Sequence, residues 1–151
     1  MTPQDSSEVL SAFGLDSLTV GATLNLTNLS TLSGMDFERL ITSLLQKMGF
    51  RAEMTKASGD GGIDIVANLD KPLVGGRYLI QCKRLDTAAQ IGAPTVREFY
   101  GAMVADRKAV KGIFVTTSSF TTQAREFAHS LPLELIDGQK LQMLLEQYYS
   151  S

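Results

Sequence analysis

The sequence predicts an α/β domain in which a mixed β-sheet is covered by helices on both sides. Three observations support this architecture. An amphipathic helical segment is followed by three strand-like segments, and the second half of the chain alternates between helical and strand patterns. The chain has 151 residues, of which 44% are hydrophobic, and this is enough for one hydrophobic core.

The first predicted helix begins near Met35 and ends at Gly49. Its apolar residues are spaced i, i+3, i+4, i+7, i+8 and i+11, which places them on one face of a helix. They are Phe37, Leu40, Ile41, Leu44, Leu45 and Met48. Three strands are predicted next, over residues 50–55, 63–68 and 77–84. A polar, glycine-rich turn and a loop with proline and glycine separate them.

The second half begins with a helix predicted over residues 95–106. Strands are predicted over residues 112–117 and 133–136, with a helix over residues 121–130 between them. Asp137 suits the N-cap of a last helix. The predicted order is therefore α-β-β-β-α-β-α-β-α.

Residues 1–31 differ in composition and are interpreted as an N-terminal arm or linker before a domain at residues 32–151. A short helix over residues 5–13 and a strand over residues 23–27 are predicted within the arm. The arm holds three acidic residues and no Lys or Arg, whereas the rest holds 14 basic and 13 acidic residues. A net charge of −2 for the whole chain argues only weakly against DNA binding, since an enzyme acting on phosphates also needs carboxylates.

Other features of the sequence restrict the compartment and the kind of site. No apolar run reaches the roughly 20 residues that a membrane span needs, and no signal-peptide pattern is present. The single cysteine, Cys82, excludes an internal disulfide and suits a reducing compartment, so a cytoplasmic protein is expected. The one histidine, His129, lies near the end of a predicted helix, which disfavours a site built on histidine ligands.

The residues suited to catalysis lie in two segments, DGGIDI at residues 60–65 and QCK at residues 81–83. Side chains alternate along a strand, so Asp64 is expected to point away from its two flanking isoleucines. Gln81 and Lys83 share one face of their strand by the same rule. If the two strands pair in antiparallel fashion, all three polar groups are expected on one face. Buried charge is costly unless it is matched, which favours a functional site over a core position.

This set of groups suits metal-assisted hydrolysis of phosphodiesters. Mg²⁺ prefers carboxylates, backbone oxygens, water and substrate phosphate as ligands, and Mn²⁺ is expected to substitute. Asp64 is predicted to supply the carboxylate, and the backbone carbonyl of Cys82 is predicted as a second ligand. Lys83 is predicted to orient the attacking water or to offset charge on the reacting phosphate.

These motifs resemble those of the PD-(D/E)xK nucleases and, within them, the Mrr-like restriction endonucleases. The resemblance covers about residues 32–146 and implies a restriction-endonuclease-like α-β-β-β-α-β core, divalent-metal dependence and DNA cleavage. It aligns Asp64 with the family's metal-binding aspartate and Lys83 with its catalytic lysine. The matching blocks are FE at 37–38, GDGGID at 59–64, QCK at 81–83, GIFVTT at 112–117 and LIDG at 135–138.

Gln81 departs from the broad family, in which an acidic residue usually stands two positions before the lysine. In the Mrr-like branch, which the sequence resembles, glutamine is common at this position. Glu38 is the candidate second acid, because it lies about 20° from Leu45 around the helix, at the edge of the apolar stripe. The resemblance places a metal or water ligand at this position in many members. Asp60 is interpreted as shaping the glycine-rich turn rather than binding metal.

The sequence therefore predicts a Mg²⁺-dependent restriction-type endonuclease acting on double-stranded DNA. One domain carries one such site, so cleavage of both strands favours a homodimer or sequential nicking. Two alternatives remain open: a catalytically weak or inactive DNA-binding or assembly module, motivated by Gln81, and a structure-selective or RNA-directed nuclease. The basic residues suited to phosphate contacts are Arg84, Arg97, Arg107, Lys108 and Lys111.

Overall fold

The computed structural model describes residues 29–56, 62–86 and 88–149, and these ranges contain four helices and seven strands. The helices are α1 (Gly34–Lys47), α2 (Ala93–Ala105), α3 (Thr122–Ala128) and α4 (Gly138–Tyr149). The strands are β1 (Arg51–Met54), β2 (Ile65–Leu69), β3 (Gly76–Lys83), β4 (Gln90–Ile91), β5 (Ala109–Thr116), β6 (Ser119–Phe120) and β7 (Leu133–Ile136).

Five strands form one mixed sheet in the order β1-β2-β3-β5-β7. The pairs β1–β2 and β2–β3 are antiparallel, whereas β3–β5 and β5–β7 are parallel. Parallel neighbours need a crossover connection, and α2 and α3 supply one each. The two-residue strands β4 and β6 form a separate parallel pair. The predicted mixed sheet is thus confirmed.

Helices cover one face of the sheet and, on the other face, the part formed by β3, β5 and β7. The first core cluster lies between one face and the helices α1 and α4, and it includes Phe37, Leu40, Ile41, Ile65, Ile80, Ile113, Val115, Leu141 and Leu145. The second core cluster lies between the other face and the helices α2 and α3, and it includes Val96, Phe99, Phe114, Phe120 and Ala124. Adjacent residues of β5 enter different clusters, as side-chain alternation requires. On the β1–β2 part of the second face, side chains that include Arg51, Glu53 and Asn68 line a polar cavity of about 370 Å³.

The ends of the helices follow from local sequence signals. Ser33 caps α1 by accepting a hydrogen bond from the Asp36 amide at 3.0 Å, and Gly49 ends it with φ of 103°. Asp137 accepts from the Lys140 amide at 2.9 Å, which confirms the predicted cap of the last helix.

The number of strands and several element bounds differ from the sequence expectations. β5 begins at Ala109 rather than at residue 112, and β2 begins at Ile65 rather than at residue 63. α2 begins at Ala93 rather than at residue 95, because a proline, Pro94, is compatible with the first turn of a helix. The strands β4 and β6 were not predicted, since two residues are too few to display a period. The predictions over residues 5–13 and 23–27, and the role of Asp60, lie outside the described residues.

The division of the chain at residue 31 stays a prediction, and Leu29 is buried in the first core cluster. Within the described ranges, no helix combines the length and the apolar character that crossing a bilayer requires.

Candidate active site

The sheet opens where β2 begins and β3 ends. Pairing between β2 and β3 starts at Ile65 and Ile80, so the last three residues of β3 extend past the beginning of β2. On their other side, these residues continue to pair with β5 as far as Lys83 and Thr116. At its end, β3 is therefore paired with β5 along one edge, whereas its other edge is not paired with β2.

Asp64 lies directly before β2 and faces this free edge. Its amide donates to the Ile80 carbonyl at 2.9 Å. This hydrogen bond is one residue out of the β2–β3 register, in which Ile80 pairs with Ile65. Its carboxylate Oδ2 accepts a hydrogen bond from the Cys82 amide at 2.8 Å. The side chain of Asp64 thus takes the place that a longer β2 would occupy beside β3. It is only 7% exposed.

The break in register corrects one sequence expectation about this aspartate. Asp64 was expected on one sheet face, opposite both flanking isoleucines. Instead, Ile63 packs against the second core cluster and Ile65 belongs to the first, so these two residues lie on opposite faces. The alternation is interrupted between them, as at a β-bulge. The carboxylate therefore lies at the edge of β3 rather than on a face.

A cavity of about 160 Å³ lies at this opening in the sheet. The five residues predicted as site residues all line it. The complete lining is Gly34, Glu38, Asp64, Gln81, Cys82, Lys83 and Arg84. Glu38 reaches the cavity from α1, on the side of the first core cluster. Gln81 lies opposite Phe114 of the second core cluster, so it and Lys83 approach from the other face.

The two carboxylates of the cavity interact with each other. Burial raises the pKa of Glu38 above its ordinary value, and the negative charge of Asp64 raises it further. Burial also raises the pKa of Asp64, while the hydrogen bond from the Cys82 amide opposes that rise. Two partly desolvated carboxylates that repel each other are stabilised by a cation between them.

Gln81 and the backbone of Cys82 add neutral oxygen atoms. Gln81 is 6% exposed, and its Oε1 is buried without a hydrogen-bond partner among the described residues. An unsatisfied buried acceptor is costly, so a ligand or water is expected there. The N–H and C=O of one strand residue point to the same edge. Because the Cys82 amide points toward Asp64, its carbonyl points into the same opening.

The thiol of Cys82 is unsuited to nucleophilic attack. Burial raises its pKa well above the ordinary value, and the charges of Asp64 and Glu38 raise it further. The thiol therefore stays protonated, and only the backbone of Cys82 is suited to a role in the site.

The donor set fits a hard divalent cation. Carboxylates, an amide oxygen and a backbone carbonyl are the oxygen ligands that Mg²⁺ accepts, usually together with several waters. Among the described residues, no three His, Cys, Asp or Glu side chains are grouped for metal binding. Two carboxylates with neutral oxygens match the sparse protein coordination that is typical of Mg²⁺.

Comparison with known proteins assigns the chain to a family. The family model for restriction endonucleases of the Mrr catalytic type matches residues 29–145. The chain belongs to the Mrr-type restriction endonuclease family. The match includes the α1 helix, the opening between β2 and β3, and all five predicted site residues.

One curated relative of this Mrr-type domain is the type IV methyl-directed restriction enzyme EcoKMrr of Escherichia coli (strain K12). The two are 40% identical over 126 residues, which cover 80% of this chain and 40% of the relative. The chain thus spans less than half the length of that protein.

Solved structures share the fold of the Mrr-type domain. The DNA modification-dependent restriction endonuclease AspBHI matches with a TM-score of 0.61 and 19% identity, over 96% of this chain and 35% of that chain. The MspJI restriction endonuclease in complex with a 27-mer oligonucleotide matches with a TM-score of 0.54 and 18% identity, over 96% and 34%. These similarities confirm the restriction-endonuclease-like fold that the sequence predicted.

Of the five basic residues considered for phosphate contacts, only Arg84 lines the cavity of the Mrr-type domain. Its Nη1 donates to the Ser30 carbonyl at 3.1 Å. Arg97 lies over the Phe127 ring, and Lys111 forms an ion pair with Glu134. Arg107 and Lys108 are exposed and outside the cavity lining.

Gly34 was not predicted as part of the site. It is the first residue of α1, and a Cβ added to it would meet nothing within 4 Å. The sequence signal that indicates it is Ser33, the cap residue that begins the helix bearing Glu38.

Proposed function

We propose that this domain is a Mg²⁺-dependent endonuclease that hydrolyses phosphodiester bonds in double-stranded DNA. One observation carries the proposal: Glu38, Asp64, Gln81 and Lys83 line a single cavity at the free edge of β3. Membership of the Mrr-type family supports the same chemistry. The DNA duplex is proposed as the partner of the cavity.

Asp64, Glu38 and the Cys82 carbonyl are the proposed metal ligands. The Cys82 amide already holds Oδ2 of Asp64, which fixes the carboxylate before any cation arrives. The other Asp64 oxygen accepts no hydrogen bond within the described part of the chain and remains available. When bound, Mg²⁺ supplies electrostatic activation of the phosphate and of water, and Mn²⁺ is expected to do the same.

Lys83 and Gln81 are the proposed partners of the reacting groups. Lys83 is exposed at the end of β3, and its Nζ has no ion pair or hydrogen bond with another described residue. An ammonium group at this position offsets charge that develops on the phosphate and orients the attacking water. The Gln81 amide is suited to hold that water, because it both donates and accepts.

The relatives support DNA as the substrate class. EcoKMrr is named a methyl-directed restriction enzyme, and the MspJI structure contains a 27-mer oligonucleotide. We propose duplex DNA as the substrate class for this chain. Modified bases and branched or RNA substrates are separate arms of the test.

The main alternative is a DNA-binding module without catalysis, because Gln81 stands where the broad PD-(D/E)xK family usually has an acidic residue. The interaction between Glu38 and Asp64 weakens that alternative. Glu38 supplies a second carboxylate to the same cavity, so the substitution at position 81 leaves two acids rather than one.

The test is cleavage of supercoiled plasmid with Mg²⁺ or Mn²⁺, using methylated and unmethylated DNA beside branched DNA and RNA. The wild type is expected to nick or linearise at least one DNA form, whereas Asp64→Ala and Lys83→Ala are expected to fail. A wild type that binds DNA but cuts none of these forms contradicts the enzyme proposal. Cleavage of RNA alone contradicts the proposed substrate. Unimpaired cleavage by Asp64→Ala contradicts the site assignment.

A further inference from the structure

Thr117 joins the chain that leaves β3 to the end of β5. Its hydroxyl donates to the Leu85 carbonyl at 2.6 Å and accepts from the Leu85 amide at 2.9 Å. Thr117 is completely buried, at 0% exposure. A single hydroxyl group therefore satisfies both backbone groups of one residue.

This contact continues the β3–β5 pairing beyond its last main-chain pair. The register between the two strands ends at Lys83 and Thr116. Leu85 follows Lys83 by two residues, and Thr117 follows Thr116 directly. The Leu85 side chain packs against the second core cluster. The side chain of Thr117 thus replaces the strand pairing at the point where the backbone leaves the sheet.

Lys83 is the last residue of β3 and lies two residues before this contact. It is exposed at the end of β3 and forms no ion pair with another described residue. The residue after it, Arg84, is tied to the Ser30 carbonyl, and the next one, Leu85, is tied to Thr117. The backbone is therefore held by the pairing of Lys83 with Thr116 and by two contacts directly after it, of which the Thr117 contact is the buried one.

We propose that Thr117 is a positioning residue whose hydroxyl holds the backbone after β3 and so directs Lys83 into the cavity. The proposal rests on the proposed nuclease function. A hydroxyl is needed because one atom must both donate and accept. Serine keeps that ability, whereas valine has the shape of threonine without it.

The first experiment compares plasmid cleavage by Thr117→Val and Thr117→Ser with the wild type. For Thr117→Val, kcat is expected to fall roughly 10- to 100-fold, because displacing a catalytic group by about 1 Å lowers the rate by a factor of this size. The KM for DNA and the Mg²⁺ concentration for half-maximal rate are expected to stay unchanged, since Thr117 does not line the cavity and its hydroxyl bonds to Leu85 rather than to Asp64 or Glu38. Thr117→Ser is expected to retain kcat within about threefold.

A matched control separates positioning from general stability. Thr121→Val removes a hydroxyl that caps α3 through the Ala124 amide, away from the cavity. This variant is expected to have a lower Tm, but its kcat, measured at temperatures below that Tm, is expected to equal that of the wild type. If Thr117→Val keeps the wild-type kcat, or if it changes Mg²⁺ dependence along with kcat, the positioning proposal is overturned.

Two further outcomes are informative. If Thr117→Val does not fold, Thr117→Ala and Thr117→Ser are compared, and equal kcat values for these two overturn the proposal. If the wild type cleaves no nucleic acid, the proposed function fails and the role of Thr117 fails with it. Cleavage by the wild type together with an unaffected Thr117→Val removes the Thr117 proposal alone.

Discussion

The two oxygens of the Asp64 carboxylate have different surroundings. Oδ2 accepts a hydrogen bond from the Cys82 amide, whereas the other oxygen accepts none from a described residue, and Asp64 lines the cavity with Glu38 and Gln81. A carboxylate that is held by a backbone amide needs little rearrangement to bind a cation, and such preorganisation lowers the cost of binding. The hydrogen bond from the Cys82 amide is thus consistent with the proposed role of Asp64 as a metal ligand.

Gln81 is the residue whose substitution tests the metal environment most finely. Gln81→Glu places a third carboxylate in the cavity, so repulsion is expected to lower Tm in the absence of metal. The same charge is expected to tighten Mg²⁺ binding, which raises Tm more steeply with Mg²⁺ than in the wild type. Thermal unfolding over a Mg²⁺ titration measures both effects. The exposed Gln139→Glu serves as the control, and identical titrations for both variants contradict the proposed metal site.

At the scale of elements, the periodic parts of the fold were predictable and the irregular parts were not. The stripe from Phe37 to Met48 predicted α1 because it depends only on local spacing. The position of the Asp64 carboxylate was not predictable, because it depends on a break in register with Ile80 across two strands. Alternation along one strand does not reveal such a break. The role of Thr117 also depends on a partner, Leu85, that is distant in sequence.

The turn between α2 and β5 is held by Asp106. Its Oδ2 accepts from Arg77 of β3, with 2.9 Å to Nη2, and its Oδ1 accepts from the Lys108 and Ala109 amides. The Arg77 hydrogen bond is the main cause that lowers the pKa of Asp106 below its ordinary value of 3.8. A lowered pKa in the folded state means that the stabilisation is present above pH 4 and is lost as the pH falls through the folded pKa.

Asp106→Asn tests this link between β3 and the α2–β5 turn. Asparagine keeps an oxygen for the two amides and removes the charge that pairs with Arg77. The expected loss at pH 7 is about 0.5–1 kcal/mol of unfolding free energy, because the pair is partly exposed. The difference from the wild type is expected to shrink toward zero as the pH falls below 4. Urea unfolding at several pH values measures this difference, and a constant difference at all pH values rejects the explanation.

At the scale of the molecule, the location of the cavity follows from the layers of the fold. Helices bury both faces of the central strands β3 and β5, so the polar side chains of these strands gather where the strands end. Open α/β sheets bind ligands beside the carboxyl ends of their strands. Lys83 at the end of β3 and Thr116 at the end of β5 define such an edge. The strand-end cavity is therefore the candidate active site of the Mrr-type domain, whereas a second polar cavity, lined by Arg51, Glu53 and Asn68 among others, lies on the face of β1 and β2.

One candidate active site among the described residues leads to the proposal that two copies act together on duplex DNA. A homodimer is expected to convert supercoiled plasmid directly to the linear form. Mixing the wild type with an excess of Asp64→Asn is then expected to yield mainly nicked circles, since mixed dimers carry one competent site. Gel analysis of the products measures this. Linear product that falls only in proportion to the wild-type concentration contradicts a dimer and favours sequential nicking.

The most direct test of the whole account is the Mg²⁺-dependent cleavage rate of Asp64→Asn against the wild type. Asparagine retains an oxygen that accepts from the Cys82 amide, so the fold and Tm are expected to persist. The carboxylate charge is lost, and the cleavage rate is expected to fall about 1000-fold, equivalent to about 4 kcal/mol in the barrier. A folded Asp64→Asn that cleaves DNA at the wild-type rate contradicts the account.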